Sequence, residues 1–140
     1  MRKFLFASHG RFADGIRDSL EMVVGKNEDI STLCAYTEDV PDIKVSVQKF
    51  LASLDSQDDA IVITDISKGS VTNEFITYLE DPRLHLITGL NLPLLIALIL
   101  ESPDTVDTKE LIRTAVLESK ETIQYCNDIL LTRNHKTEDF

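Results

Sequence analysis

KFLFASHGRFADG, at residues 3–15, is an apolar run that stops at a histidine and a glycine and then turns into a helical pattern. Residues 2–8 form a short segment that is mainly apolar and aromatic, as expected of a strand buried on both faces. From Phe12 onward, apolar side chains recur at helical spacing until Gly25, where the helix is expected to end. The segment therefore predicts a strand followed at once by a helix, with His9 at the junction.

The same strand–helix unit recurs along the chain. Further strands are predicted at residues 30–36, 60–64 and 84–88, and AIVIT at 60–64 is the clearest because it is β-branched and flanked by aspartates. Strands that are joined through helices run parallel, with helices on both faces of the sheet. These features predict a doubly wound, three-layer α/β/α fold with a mainly parallel sheet of order 2-1-3-4.

Helix boundaries are predicted from capping residues and from spacing. Asp39 is suited to cap the second helix, and Ser70 is suited to cap the third. The last helix is expected to begin at Asp107 or Thr108, and its apolar positions from Ile112 to Leu130 span about five turns of one helix.

Size and charge limit the classes of function. A chain of 140 residues with 43% hydrophobic residues is long enough for one domain with a core. Residues 1–131 are therefore predicted to form a single domain, followed by a polar, flexible tail at 132–140. The formal net charge of −10 argues against a nucleic-acid-binding surface and favours basic partners.

Membrane, metal and nucleotide signals are weak. The longest apolar run, residues 94–100, is too short to span a bilayer and no signal peptide is recognisable, so a cytoplasmic protein that is not embedded in a membrane is expected. Cys34 and Cys126 lack metal-ligand spacing and are expected to be free thiols. The nucleotide-binding pattern GxxxxGK[ST] does not occur. No metal and no cofactor is therefore expected.

Two potential catalytic residues follow neighbouring strands of the predicted sheet. In the order 2-1-3-4 the winding reverses between strands 1 and 3, and ligands bind at the carboxyl ends of the strands beside such a reversal. Strand 1 ends at His9 and strand 3 ends just before Asp65, so the two side chains are expected to face each other. An imidazole that donates from one nitrogen to a carboxylate is a nucleophile at the other nitrogen. His9 and Asp65 are therefore predicted to be the catalytic pair.

Residues beside this pair are suited to bind a phosphoryl group. The helices that begin near Phe12 and Ser70 direct free N–H groups toward the same crevice. The predicted phosphoryl-binding residues are Gly10, Ser67, Lys68, Gly69 and Ser70. A nucleophilic histidine, an orienting aspartate and a ring of donors match transient phosphorylation of the histidine. The alternative is that His9 is a structural residue at a strand end.

Three motifs give the chain a family resemblance. They are ASHG at residues 7–10, VITDISKGSVTN at 62–73 and GLNLPLL at 89–95. In this order and at these separations they resemble the EIIA component of the mannose-family phosphoenolpyruvate:sugar phosphotransferase systems, and the resemblance covers residues 2 to about 130. The chain departs from the family pattern at Lys68, where the family has a glycine, and at Val71, where it has a proline.

The resemblance implies a function and a set of partners. In the family, the counterpart of His9 is phosphorylated by the carrier protein HPr and passes the group to an EIIB component, while the membrane components EIIC and EIID import the sugar. Carried over to this chain, His9 accepts the group through Nε2, Asp65 accepts a hydrogen bond from Nδ1–H, and Ser70 helps to hold the phosphoryl oxygens. The resemblance also implies a homodimer and requires neither metal nor nucleotide.

Other functions stay open at the level of the sequence. An EIIA-like subunit that supplies phosphate to dihydroxyacetone kinase has the same fold, but its usual Asp-Leu-Gly-Ser differs from DISK at residues 65–68. A regulatory EIIA-like module is usually embedded in a longer protein. A binding domain of flavodoxin-like fold would use His9 only structurally and would not be phosphorylated. None of these residues specifies the sugar.

Overall fold

A four-stranded parallel sheet lies at the centre of the molecule. The structure is a computed structural model that describes residues 1–100 and 106–132. The strands are β1 (Arg2–His9), β2 (Ile30–Ala35), β3 (Asp59–Thr64) and β4 (Leu84–Thr88). They are hydrogen-bonded in the order β2-β1-β3-β4, and the three neighbouring pairs are parallel. The predicted sheet order 2-1-3-4 is confirmed.

Helices cover both faces of this sheet. They are α1 (Phe12–Val24), α2 (Ile43–Ala52), α3 (Ser70–Ile76), α4 (Leu92–Leu100), α5 (Thr108–Lys120) and α6 (Cys126–Thr132). Apolar side chains of α1, α4 and α5 pack with Phe4 and Phe6 on one face, and those of α2 and α3 pack with Leu5 and Ala7 on the other. Successive residues of β1 point to opposite faces because side chains alternate along a strand. The predicted three-layer α/β/α fold is confirmed.

The central strand β1 brings the carboxyl ends of three strands to one edge of the sheet. Phe6 is fully buried within it, and truncating a buried phenylalanine to alanine costs about 3–5 kcal/mol. Ala7 is in register with Thr64 at the end of β3, and His9 is in register with Ala35 at the end of β2. Residues that directly follow β1, β2 and β3 are therefore neighbours in space.

The second helix begins later than the sequence predicted. Its N-cap is Asp42, whose side chain accepts the amide N–H of Lys44 at 3.0 Å, and the prediction of Asp39 was wrong. A cap at Asp39 would require helical backbone at Val40, which the following Pro41 disfavours by steric clash. The helix therefore starts after the proline.

The prediction that Ser70 caps the third helix was also wrong. Ser70 is the first helical residue of α3, the N-cap position is Gly69, and no side chain caps the helix. A capping side chain must come from the residue before the first helical one. The Ser70 hydroxyl is therefore free to make contacts outside the helix, which are described below.

The predicted last helix is divided into α5 and α6. The break lies at residues 121–125, where the Thr122 hydroxyl donates to the Ser119 carbonyl at 2.7 Å. Ile123 is 86% exposed, so this apolar position contributes no core packing that would keep the helix continuous. The prediction of a single helix through Leu130 was therefore wrong. Residues 133–140 of the predicted tail lie outside the described part of the chain.

Candidate active site

His9 and Asp65 form a hydrogen-bonded pair at the carboxyl edge of the sheet. His9 ends β1, and Asp65 directly follows β3. Asp65 Oδ2 accepts the His9 backbone N–H at 2.8 Å and lies 2.8 Å from His9 Nδ1. A carboxylate at this distance favours the ring form with its proton on Nδ1, which leaves a lone pair on Nε2. The predicted proximity of the two side chains is confirmed.

Asp65 is held in its ionised form. Burial of this side chain, which is 13% exposed, opposes ionisation, but the His9 amide, the His9 ring and the Ile66 amide outweigh burial and lower the pKa of Asp65. The Ile66 amide donates to the second carboxylate oxygen, Oδ1, at 2.9 Å. The His9 side chain, in contrast, is 39% exposed. The pair therefore combines a shielded carboxylate with an imidazole that another protein can reach.

The turn between β1 and α1 is organised by Ser8 and Gly10. Ser8 is completely buried, and its hydroxyl accepts the Ala13 amide N–H at 2.8 Å while it donates to the Gly10 carbonyl at 3.1 Å. Gly10 has φ +60°, where glycine is favoured, and its N–H donates to the Ala35 carbonyl at 2.9 Å. The amide of Gly10 is therefore bonded within the protein, and what Gly10 contributes beside the pair is the turn after His9. Sequence reasoning missed Ser8, although a serine shortly before a helix is a capping signal.

Gly69 lies directly against the His9 ring. A Cβ atom at position 69 would come within 3.0 Å of His9 Cε1 and 3.0 Å of Ile66 Cγ1. The loop is held in place by the Thr64 and Thr72 hydroxyls, which are 2.6 Å apart, and the Thr72 hydroxyl donates to the Ile66 carbonyl at 2.5 Å. A side chain at position 69 would therefore have to displace the His9 ring or the Ile66 side chain by a few tenths of an ångström.

One hydroxyl group lies beside His9 Nε2, and a second hydroxyl group is hydrogen-bonded to the first. Ser70 Oγ is 3.4 Å from His9 Nε2 and is also hydrogen-bonded to the Tyr36 hydroxyl. The Tyr36 ring lies beside the imidazole, with a centroid distance of 5.6 Å and an interplanar angle of 31°. Tyr36 was predicted to lie in the second strand and had no predicted role, but β2 ends at Ala35. The predicted sheet order, which places the end of the second strand beside the end of the first, was the signal that could have found it.

Ser67 and Lys68 occupy the outer part of the loop. Both are exposed, and within residues 1–100 and 106–132 neither side chain makes a hydrogen bond or an ion pair. Among the predicted phosphoryl-binding residues, the structure thus brings Gly69 and Ser70 against the His9 ring. It leaves Ser67 and Lys68 at the rim of the site.

Membrane-spanning helices and metal-binding clusters are absent from residues 1–100 and 106–132. No helix there is both long enough and apolar enough to cross a membrane. No group of three or more His, Cys, Asp or Glu residues there is arranged to hold a metal ion. Both Cys34 and Cys126 are free thiols, and burial raises the pKa of the Cys34 thiol.

Comparison with known proteins identifies the family. The model of EIIA-man, the PTS system fructose IIA component, matches residues 3–116. The fructose-specific EIIA component of Bacillus subtilis is 21% identical over 132 residues, which are 93% of this chain and 90% of the relative. The sorbose-specific EIIA component of Klebsiella pneumoniae is 28% identical over 96 residues, which are 68% of this chain and 70% of the relative.

A solved structure supports the same assignment. It is described as a phosphoenolpyruvate-dependent sugar phosphotransferase system permease from Klebsiella pneumoniae, is 47% identical and has a TM-score of 0.87. The alignment covers 92% of this chain and 93% of that one. The resemblance predicted from three sequence motifs is confirmed. The chain therefore belongs to the EIIA-man family, the mannose-family EIIA components of the sugar phosphotransferase system.

Proposed function

We propose that the protein is a phosphocarrier that accepts a phosphoryl group from phospho-HPr on His9 and passes it to an EIIB component. The observation that carries the proposal is the arrangement of one imidazole. Its Nδ1 is held by Asp65 at 2.8 Å, while its exposed side chain presents Nε2 to the surface. Family membership supports the same assignment, because EIIA components are phosphotransfer proteins.

The proposed transfer is an in-line displacement between two histidines. The lone pair of His9 Nε2 attacks phosphorus, the N–P bond of the donor histidine breaks, and the donor nitrogen keeps the electron pair. The proton stays on His9 Nδ1, where Asp65 stabilises the positive charge that develops on the ring. The second transfer, to EIIB, repeats these steps with His9 as the donor. The incoming group is already activated as a phosphoramidate, so positioning and electrostatics are sufficient.

The loop at residues 65–70 supplies the proposed phosphoryl-binding groups. The Ser70 hydroxyl is nearest to Nε2, and Gly69 leaves room beside the ring. Ser67 and the Lys68 ammonium, exposed at the rim, can turn toward a phosphoryl group that carries negative charge. Gly10 contributes the turn after His9 and not a free N–H group, because its amide is bonded to Ala35.

The proposed partners follow from the chemistry and from the charge. A net charge of −10 suits a basic donor such as HPr. EIIB is the proposed acceptor, and EIIC and EIID are linked to the chain only through EIIB. The proposal places the exchange in the cytoplasm, and a homodimer is part of it. Fructose and sorbose appear in the names of the curated relatives, so EIIB proteins of such systems are the first acceptors to test.

The test is intact-protein mass spectrometry after incubation with phosphoenolpyruvate, enzyme I and HPr. We expect the protein to gain one phosphoryl group that is labile to acid and stable to base, and the folded His9→Ala variant to gain none. Addition of a matching EIIB should then remove the group. A native protein that gains no phosphoryl group would contradict the proposal. A group that is gained but not passed to any EIIB would favour a regulatory role or a kinase subunit.

A further inference from the structure

Tyr36 is held in an unfavourable backbone conformation beside the site. With φ +63°, it is the one residue other than glycine with positive φ in the described part of the chain. This conformation is costly for a residue with a Cβ atom. The side chain is 64% exposed, so burial of the ring does not account for the strained position. Strained residues of this kind cluster at functional sites.

The contacts of Tyr36 are with the candidate site itself. Its ring lies beside the His9 ring, and its hydroxyl is hydrogen-bonded to Ser70 Oγ, which is 3.4 Å from His9 Nε2. The chain of groups therefore runs from the Tyr36 hydroxyl through Ser70 to the nitrogen that would be phosphorylated.

We propose that Tyr36 is a positioning residue that stabilises the phosphorylated form of His9 and protects it from water. The inference rests on the proposed function. In the free protein, the Tyr36 O–H donates to Ser70 Oγ, and the Ser70 O–H is directed to the lone pair of Nε2. When a phosphoryl group replaces that lone pair, its oxygens become the acceptors of the Ser70 proton. The Tyr36 donation then keeps Ser70 Oγ in place and polarises its O–H bond.

The ring has a second effect, on hydrolysis. In that side reaction water attacks phosphorus, the Nε2–P bond breaks, inorganic phosphate leaves and Nε2 recovers its electron pair. A ring beside the imidazole covers one approach for the water molecule. Glycine would fit this backbone conformation without cost, but it has neither the hydroxyl nor the ring. The two proposed roles therefore account for a strained tyrosine at position 36.

The test compares three variants with the native protein. Tyr36→Phe removes the hydroxyl and keeps the ring, Tyr36→Gly removes both and relieves the backbone, and Tyr125→Phe is the control at a tyrosine that is similarly exposed, at 66%. The measurements are the equilibrium ratio of phosphorylated to free protein against phospho-HPr, the half-life of the phosphohistidine alone, and the melting temperature.

For Tyr36→Phe we expect the equilibrium ratio to fall about tenfold, the size expected when a hydrogen bond that supports a charged group is lost. For Tyr36→Gly we expect a similar fall and a shorter half-life together with a melting temperature raised by about 3 °C. Tyr125→Phe should match the native protein.

Two failures are distinguishable. If the native protein is phosphorylated but Tyr36→Phe has the native ratio and Tyr36→Gly has the native half-life, the role of Tyr36 is refuted while the phosphocarrier function stands. If the native protein is not phosphorylated at His9, the proposed function itself is refuted.

Discussion

The strand β3 has a histidine–aspartate pair at each of its two ends, and the two pairs differ in what surrounds them. At the carboxyl end, Asp65 lies 2.8 Å from His9 Nδ1, and the histidine side chain is 39% exposed. At the amino end, Asp59 lies 3.4 Å from His85 Nε2, and that histidine side chain is 14% exposed. The same two residue types therefore make one pair that is open to partners and one that is largely covered.

The amino-end pair belongs to a network that attaches α5 to the sheet. Asp59 Oδ2 accepts the Thr108 hydroxyl at 2.5 Å, and Thr108 Oγ1 accepts from Arg2 Nε at 3.0 Å. Thr108 is the first residue of α5. The comparison shows that a histidine–aspartate pair is a candidate for catalysis only if one ring nitrogen is oriented while the other stays accessible. In parallel sheets, that combination is found at the carboxyl ends of the strands.

The largest difference is expected from neutralising each aspartate. Asp65→Asn removes the acceptor that selects the Nδ1–H form of His9, so the rate of phosphoryl transfer from phospho-HPr should fall at least about a hundredfold. Asp59→Asn should leave the rate within about twofold of native, because Asp59 lies at the opposite end of β3 and is bonded to His85 and Thr108. Rapid-quench measurement of phosphohistidine formation compares them. Equal losses in the two variants would show that the pairs are not functionally different.

The second effect concerns the space beside His9. Gly69→Ala places a Cβ atom 3.0 Å from His9 Cε1, and the displaced ring should lower the transfer rate about tenfold or more. Gly15→Ala is the matched control, because a Cβ there meets nothing within 4 Å and should stabilise α1 by about 0.5–1 kcal/mol. Transfer rates and urea unfolding are measured for both. A native rate in Gly69→Ala would mean that the loop yields without moving the ring.

The third effect is on stability and should be confined to the amino end. Thr108→Val keeps the shape of the side chain but removes its hydrogen bonds to Asp59 and Arg2, which should lower the free energy of unfolding by about 1–2 kcal/mol. The transfer rate should not change. Thr114→Val, at an exposed position of the same helix, is the control for the loss of a hydroxyl. Equal unfolding midpoints for the two variants in urea would contradict a structural role for the network.

The smallest effect is the pH dependence of stability. For both Asp65 and Asp59, burial opposes ionisation but hydrogen bonds outweigh it, so the pKa of each carboxyl is lowered in the folded state. Each contribution is therefore complete above the unfolded pKa of about 4 and is lost as the pH falls through the lower folded-state pKa. We expect the greater share from Asp65, which is 13% exposed against 39% for Asp59. Urea unfolding from pH 5 to 2 should then show a flatter acid limb in Asp65→Asn than in Asp59→Asn.

The fold and the central pair could be predicted from the sequence because both depend on repeated, local signals. Alternating strand and helix patterns imply a parallel sheet, and the reversal of its winding selects the ends of β1 and β3. His9 and Asp65 follow those ends directly in the chain. Their proximity therefore needed only the topology and no knowledge of side-chain packing.

The ends of the helices were predicted less well, because they depend on competition between neighbouring residues that could each cap, continue or break a helix. Asp39 and Asp42 are equally suited to cap a helix by residue type, and the effect of Pro41 decided between them. The break after α5 occurs where Ile123 finds no core to pack against. Apolar spacing alone counted this residue as part of the helix face, since the sequence does not show which apolar positions the sheet leaves uncovered.

The sequence by itself determined the order of the strands, the pair His9 and Asp65, and the family, because each is written in short motifs and in regular spacing. Only the tertiary structure decided that Tyr36 reaches His9 and Ser70, that Gly69 lies against the imidazole, and that the amide of Gly10 is occupied. These contacts join residues that are far apart in the chain. They depend on the positions of atoms to within a few tenths of an ångström. Strand register and loop conformation set these positions together, and no local pattern of residues encodes them.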